Sequence, residues 1–366
     1  MNRNKRKHFW PALIGSALAL LFVGVSLFIP TTSAQKLKEL PPPPAVPVYK
    51  PKPTPTPPPI EYEVVKVTSN LIVVPVSVTD SQGQPVLGLK QGDFRIEEDG
   101  RPQQIAQLGD PEQVPLDIAL LVDVSGSVVA RFDFEQQAAA SFIKQVLKPE
   151  DRATVFAIDT TPRLIQRLAS ADVASQSVMT IKPSNSYTAF FDSVLSAAKY
   201  LDESSTTGRR RIAIIISDGD DTARILDIST LKPGEGLQLA SAEAQQQMLQ
   251  RSQTETERAV QRAEVTFYSI NPSGQTLRLN ARTARAELGM ERIAAATGGA
   301  SFVPGRDSDL APIFNRIGSE IRSQYLLQYY SNNQTGSLGY RHITASLPTH
   351  PELRVRAREG YYPKGN

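Results

Sequence analysis

Apolar and polar positions follow two periods along this chain, and each predicts a different kind of element. Leu116 to Val122 is a mostly apolar run, broken only by Asp117, too short for a lone helix and bounded by Pro115 and a turn. Such a run predicts a strand buried on both faces of a parallel sheet. Ala153 to Ile158, Ile212 to Ile216, Val265 to Ile270 and Ser301 to Val303 predict further strands, with Leu164 to Leu168 as a short edge strand. Between them the period lengthens: Phe134, Ala138, Phe142, Ile143, Val146 and Leu147 share one face of a helix, Phe191, Val194, Leu195 and Ala198 mark a second, and Val173 to Ile181 is weakly helical. Strands interleaved with helices from Pro115 to Arg322 imply βαβ units with right-handed crossovers and a sheet covered on both sides. The expected fold class is α/β, a doubly wound, mostly parallel, Rossmann-like sheet.

On either side the period shortens to two. Leu71 to Val78, Phe94 to Glu97 and Gln104-Ile105 are β-type runs separated by the turn signals Asp80-Ser81-Gln82-Gly83 and Glu98-Asp99-Gly100, with Val64, Val65 and Val67 leading in. These are too few strands to close a sandwich alone. Gln324 to Tyr330, Tyr340 to Leu347 and Leu353 to Arg358, followed by Tyr361-Tyr362, supply candidate partners. The expected organisation is therefore a β-rich, Ig-like segment at 61–110, the α/β unit at 115–322 inserted after it, and a C-terminal β segment at 323–363 that pairs back onto 61–110 to make a small β-sandwich. Ile225 to Glu264 exceeds this plan: a loop with Lys232-Pro233-Gly234-Glu235-Gly236, then a long polar helix whose apolar stripe is Leu239, Ala240, Ala244, Met248 and Leu249.

The N-terminus changes the picture of location. Residues 1–34 read as an export signal: the basic cluster Arg3 to Lys7, an apolar run from Phe9 to Ile29, then Thr32-Ser33-Ala34. The run is long enough to span a bilayer if uncut, so the segment is either a signal peptide cleaved after Ala34 or an N-terminal membrane anchor through residues 9–29. In both cases the positive flank stays inside and the rest is exported: periplasmic, cell-surface or secreted. Residues 35–60 are a proline-rich linker. Proline fixes φ and removes donors, so its Leu40 to Pro59 part should run as an extended spacer of roughly 60 Å at about 3.1 Å per residue. The formal net charge of +3 falls to about −1 once Arg3, Lys5, Arg6 and Lys7 are removed. No basic stripe interleaves with aromatics, so no nucleic-acid partner is implied, and Arg209, Arg210 and Arg211 read as a solvated lead-in to a strand. Cysteine is absent, which excludes disulfides, thiolate nucleophiles, sulfur-ligated zinc and a lipobox anchor.

Candidate chemistry gathers where the apolar strands stop. Asp123, Ser125 and Ser127 alternate after the first buried strand, so a bend at Gly126 can turn one carboxylate and two hydroxyls to a single point at the strand's carboxyl end, where open α/β sheets hold ligands. Asn185-Ser186-Tyr187-Thr188 opens the helix containing Phe191, and Ile212 to Ile216 runs into Ser217-Asp218-Gly219-Asp220-Asp221. Mg²⁺ takes oxygen ligands octahedrally and keeps several waters, which suits three hydroxyls and two carboxylates. Read plainly instead, the two serines and Thr188 would cap helices and Asp218-Gly219 would be a turn. Asp159, Asp220 and Asp221 read as solvated loop acids, and Asp192 as helix surface or outer support.

The combination Asp123-Val124-Ser125-Gly126-Ser127, Thr188 in Y-T-A-F-F-D and Asp218 in I-I-S-D-G-D-D resembles the von Willebrand factor A (VWFA) domain and its metal-ion-dependent adhesion site, MIDAS. The resemblance covers roughly 115–322, and the flanks resemble secreted bacterial VWFA-related proteins. It implies a divalent cation, Mg²⁺ first with Mn²⁺ or Ca²⁺ as alternatives, held by Asp123, Ser125, Ser127, Thr188 and Asp218. It implies also a protein partner that completes the open position with Asp or Glu. The function expected is a non-enzymatic, adhesion-type binding module. Two other classes share part of this pattern. One is a structural envelope protein whose cation only stabilises. The other is a haloacid-dehalogenase-like phosphohydrolase, which wants a second aspartate where Ser125 stands, and His8, His342 and His350 lie outside the α/β unit.

Overall fold

A computed structural model describes residues 71–184, 186–225, 242–274, 281–305, 310–333 and 338–363. Among the expectations above, the export segment 1–34, the linker 35–60, the lead-in at 61–70, Asn185 and the insertion's 226–241 with Leu239 and Ala240 lie outside the described residues. All described residues belong to one compact unit within Lys66–Asn366. Among them no helix is long and apolar enough to cross a membrane.

The N-terminal strands are β1 (Leu71–Thr79), β2 (Arg95–Glu98), β3 (Arg101–Gln103) and β4 (Ile105–Gly109). The α/β unit follows as β5 (Leu116–Asp123), α1 (Phe132–Val146), β6 (Arg152–Ile158), β7 (Pro162–Ala169), α2 (Ala171–Val178), α3 (Phe190–Ser204), β8 (Arg210–Ile216), α4 (Thr222–Ile225), α5 (Ala242–Arg262), β9 (Val265–Ile270), α6 (Ala281–Thr297), β10 (Ser301–Phe302) and α7 (Leu310–Ser323). The chain ends with β11 (Tyr325–Tyr330), β12 (Arg341–Ser346), β13 (Arg354–Ala357) and β14 (Gly360–Tyr361).

β5 is buried at every one of its eight positions because sheet and helices close on both its faces. The sheet order is β10-β9-β8-β5-β6-β7, parallel throughout except for the antiparallel edge strand β7. This is the doubly wound order, and its direction reverses between β5 and β8. There the helices after the two strands go to opposite faces and open a crevice at the strands' carboxyl ends. One face packs on α1, α2 and α7 through Ile143, Val178, Phe314 and Ile317; the other packs on α3, α5 and α6 through Val194, Val260 and Met290.

The flanking strands pair across the chain. β1 lies antiparallel between β11 and β13, with Val74 opposite Leu327 and Val78 opposite Val355. β12 pairs with β2, placing Ala345 opposite Ile96. The two four-stranded sheets, β13-β1-β11-β4 and β14-β12-β2-β3, share one core of Val74, Val76, Ile96, Leu327, Tyr329 and Ile343. A buried polar knot ties this core to the α/β unit. Glu320 at the end of α7 accepts from Tyr268 (2.7 Å), from Ser77 on β1 (3.1 Å) and from Arg356 on β13.

Three local expectations need correction. The core face of α1 is Phe132, Glu135, Gln136, Ala139, Phe142, Ile143 and Val146, with Phe134 exposed, because two polar residues occupy the inward stripe. The buried stripe of α5 runs through Ser252, Thr256 and Val260 instead of stopping at Leu249, so small hydroxyl side chains let this helix approach its neighbours. Arg209, Arg210 and Arg211 are not solvated. Arg209 donates to buried Asp117 (2.8 Å), Arg210 is buried and donates to the Ile321 carbonyl (2.9 Å), and Arg211 donates to the Ala263 carbonyl (2.7 Å).

Candidate metal centre

The crevice at the β5/β8 switch point is walled by three loops. β5 ends in Asp123, whose side chain is fully buried. Its Oδ1 accepts the Ser125 backbone N–H at 2.9 Å and its Oδ2 accepts the Ser217 hydroxyl at 2.6 Å. A carboxylate offers about four lone-pair positions, so acceptor capacity remains on the side facing the loops. The Ser125 and Ser127 hydroxyls lie 3.1 Å apart, and Ser127 sits close enough to Asp218 to offset part of the rise that burial imposes on its carboxyl. Asp123, Ser125, Ser127 and Asp218 therefore form one connected group, graded from buried Asp123 and Ser125 through half-buried Asp218 to exposed Ser127. That gradient gives the group an opening to solvent.

Thr188 is fixed by its backbone to the segment just past the third loop. Its N–H donates to Thr222 Oγ1 at 2.7 Å and its carbonyl accepts the Ala223 N–H at 3.0 Å, while its side chain is buried. Four residues earlier, the Ser184 N–H donates to the Val124 carbonyl at 2.6 Å. The Thr188 loop is thus stitched to the first loop at one end and to the third at the other, and no hydrogen bond joins its hydroxyl to the other four side chains.

None of the three hydroxyl residues caps a helix. The turn Val129–Arg131 before α1 starts from Val128, α1 starts from Arg131 and α3 starts from Ala189, none with a side-chain cap. The hydroxyls are left for another use.

The electrostatics of the crevice are one-sided. Burial pushes the Asp123 carboxyl up to about 6, and the neighbouring Asp218 charge adds to this. Asp218 is likewise raised, by burial first and by Asp220. Glu135, fully buried on the first turns of α1, is pushed up to about 7 by burial and by the charges of Asp123 and Asp218, against the opposing pull of Arg131. Its Oε2 has no hydrogen-bond partner among the described residues. Arg131 pulls this carboxyl down but makes no ion pair with it, donating instead to the Pro272 carbonyl. Buried acids short of positive charge are what a hard divalent cation relieves. The donor set fits such an ion: two carboxylates and three hydroxyls, all oxygen, with no three His, Cys, Asp or Glu side chains grouped to hold an ion among the described residues. Mg²⁺, which keeps part of its water shell, suits a site of few acids and several hydroxyls.

Several supporting residues escaped the sequence reading. Asp221 is buried, not solvated: its Oδ2 accepts the Phe191 N–H at 2.9 Å, so the third loop grips the start of α3 just past Thr188. Burial lifts its carboxyl to about 6. Asp159, at the end of β6, accepts from Ser186 and from the Thr160 N–H (2.8 Å) and pairs with Arg163, which steadies the Thr188 loop from below. Ser217 links the third loop to Asp123. Asp192 lies on the surface of α3 and pairs with Arg224.

No curated protein matches the sequence. The chain is similar in fold to a von Willebrand factor type A structure from Catenulispora acidiphila, at 14% identity over 70% of this chain and 51% of that one, TM-score 0.43. It is similar also to the vWF domain of the type V pili tip protein Mfa5 from Porphyromonas gingivalis, at 12% identity over 57% of this chain and 95% of that one, TM-score 0.41. A third is an aerotolerance-related membrane protein from Bacteroides fragilis, at 13% identity over 56% and 98%, TM-score 0.39. Residues 118–220, which run from within β5 past Asp218, match the family model of the von Willebrand factor type A domain, and strands of the two four-stranded sheets precede and follow that stretch.

Proposed function

We propose that this chain is an exported, non-enzymatic protein-binding module that captures a partner's Asp or Glu carboxylate through a divalent cation, Mg²⁺ first, at Asp123, Ser125, Ser127, Thr188 and Asp218. The observation that carries this reading is the group of Asp123, Ser125, Ser127 and Asp218 at the switch point, where burial raises both carboxyls. When bound, the cation would supply a positive centre with an unfilled position. The chain's own residues do the rest. Hydroxyls as donors leave the ion's charge incompletely neutralised, so a further carboxylate is attracted. The loops hold the donors in place before the partner arrives, which lowers the cost of binding.

One carboxylate contact is small beside a protein interface, so most affinity comes from the surrounding surface. Exposed apolar side chains on two of the same loops fit that use: Tyr187 beside Thr188, 54% exposed, and Val129 two residues past Ser127, 44% exposed. The test is capture from envelope extract by the immobilised full chain in Mg²⁺ against EDTA, repeated with Asp123→Ala. Capture that needs both Mg²⁺ and Asp123 supports the reading; capture that survives both treatments refutes it. A cation that stabilises the chain but leaves capture unchanged assigns it a structural role only.

A further inference from the structure

We infer that the partner segment whose acid meets the cation carries a bulky apolar side chain close to that acid, which seats in the groove between the β8 loop, α3, α5 and α6. The inference rests on the carboxylate-capture reading and adds the partner's local chemistry to it.

The groove holds a cavity of about 160 Å³. A cavity of that order accepts one aromatic ring or a branched aliphatic side chain. Its walls are Phe190 and Phe191 from α3, Leu249 and Gln253 from α5, and Leu288 and Gly289 from α6. Its rim on the loop side is Gly219, Asp220 and Asp221. Two walls therefore grow directly out of the loops that carry candidate ligands: Gly219 follows Asp218, and Phe190 stands two residues past Thr188. One Cα step is about 3.8 Å, and an extended peptide advances about 3.3 Å per residue. An acid seated at the cation would place a side chain within about three residues of it over this groove.

Two further features point to an occupant of that kind. The mouth is basic on one side. Arg282 and Arg285 are exposed one turn apart on α6; Arg282 pairs with Asp220, and no described residue pairs with Arg285. A segment that brings one acid to the cation is favoured further by a second acid against Arg285. One turn further along the same helix, Leu288 adds an apolar side chain that is 64% exposed. Gly289 keeps the floor open. A Cβ there would meet nothing nearer than the Gln253 side chain at 3.7 Å, so alanine fits and would favour the helix, yet the position is left bare.

A display library of linear peptides, each with one fixed glutamate flanked by randomised positions, is selected on the immobilised full chain in Mg²⁺. The inference expects Leu, Ile, Met, Phe or Trp to be enriched within about three residues of the glutamate. Gly289→Leu should weaken the selected peptides by roughly tenfold or more in fluorescence polarisation while leaving Mg²⁺ affinity by calorimetry unchanged, and Gly289→Ala should bind like the parent. Arg285→Glu should weaken those peptides that carry a second acid. Selection for the glutamate without any apolar preference overturns the groove proposal and leaves cation capture standing. Unchanged peptide binding by Gly289→Leu does the same. Apolar peptides that bind equally in EDTA or without the glutamate also overturn it, since the groove would then serve another ligand. Selection indifferent to glutamate and to Mg²⁺ refutes the capture reading itself.

Discussion

Replacing Glu135 by glutamine removes one negative charge from beside the candidate metal centre and keeps the side chain's shape. Burial and the nearby acids lift this carboxyl from its ordinary 4.5 to about 7. At roughly 1.4 kcal/mol per pH unit, an ionised Glu135 costs the metal-free fold about 3 kcal/mol at pH 8. The folded pKa is raised, so the associated stability is present in full below the unfolded pKa and is lost as pH rises through about 7. At pH 5 the folded group stays protonated and the difference from glutamine shrinks to about 1 kcal/mol. Burying an unpartnered amide carries its own cost at either pH, which cancels when the two are compared. Glu135→Gln should therefore gain about 2 kcal/mol relative to the parent between pH 5 and pH 8 in EDTA, on the order of 4 °C in melting temperature. Scanning calorimetry at both pH values reads this directly. Mg²⁺ should then stabilise the parent more than the variant, because the ion loses an attractive charge. An equal shift at both pH values, unaffected by Mg²⁺, would refute the claim that Glu135 burdens the crevice with uncompensated charge.

Gly219 has φ +77° and a Cβ there would meet Met290 at 2.8 Å, so Gly219→Ala should cost about 1–3 kcal/mol in a denaturant titration and weaken Mg²⁺ binding by displacing Asp218. Gly88 shares the positive φ but has nothing within 4 Å of its Cβ, so Gly88→Ala should cost less and leave Mg²⁺ affinity alone. Asp221→Ala strips the buried Phe191 N–H of its acceptor and should cost about 1–3 kcal/mol, largely recovered in Asp221→Asn, by chemical denaturation. A chain of residues 60–110 alone should show no β signal by circular dichroism, because β1 finds both its sheet neighbours in β11 and β13; a folded fragment would contradict this.

What the sequence made legible follows from how local the signal was. β5 and β8 are buried at nearly every position and stop abruptly at oxygen-bearing side chains, so pattern alone located Asp123, Ser125, Ser127 and Asp218 at strand ends in a doubly wound sheet. The period-two runs at 71–78 and 324–330 are likewise self-contained, and β1 and β11 lie where they fall. Glu135 was missed because apolar periodicity is blind to an acid on the inward stripe. Its spacing from Phe132, Ala139, Phe142, Ile143 and Val146 was the available clue, and placing Phe134 inside hid it. Asp221 and Arg209 to Arg211 read as solvated because charged residues usually are. Their burial is set by partners far away in sequence, a backbone N–H on α3 for one and Asp117, Ile321 and Ala263 for the others. The Ser and Thr stripe of α5 failed for a related reason, since small hydroxyl residues pack inside a helix interface without an apolar signature.

Crystals of the full chain grown with Mn²⁺ and measured near the manganese absorption edge show whether one hard ion sits among these loops. A single anomalous peak is expected within coordination distance, about 2.0–2.2 Å, of side-chain oxygens drawn from Asp123, Ser125, Ser127, Thr188 and Asp218, absent in Asp123→Ala. A fully occupied Mn²⁺ elsewhere, with no peak in this crevice, would contradict it.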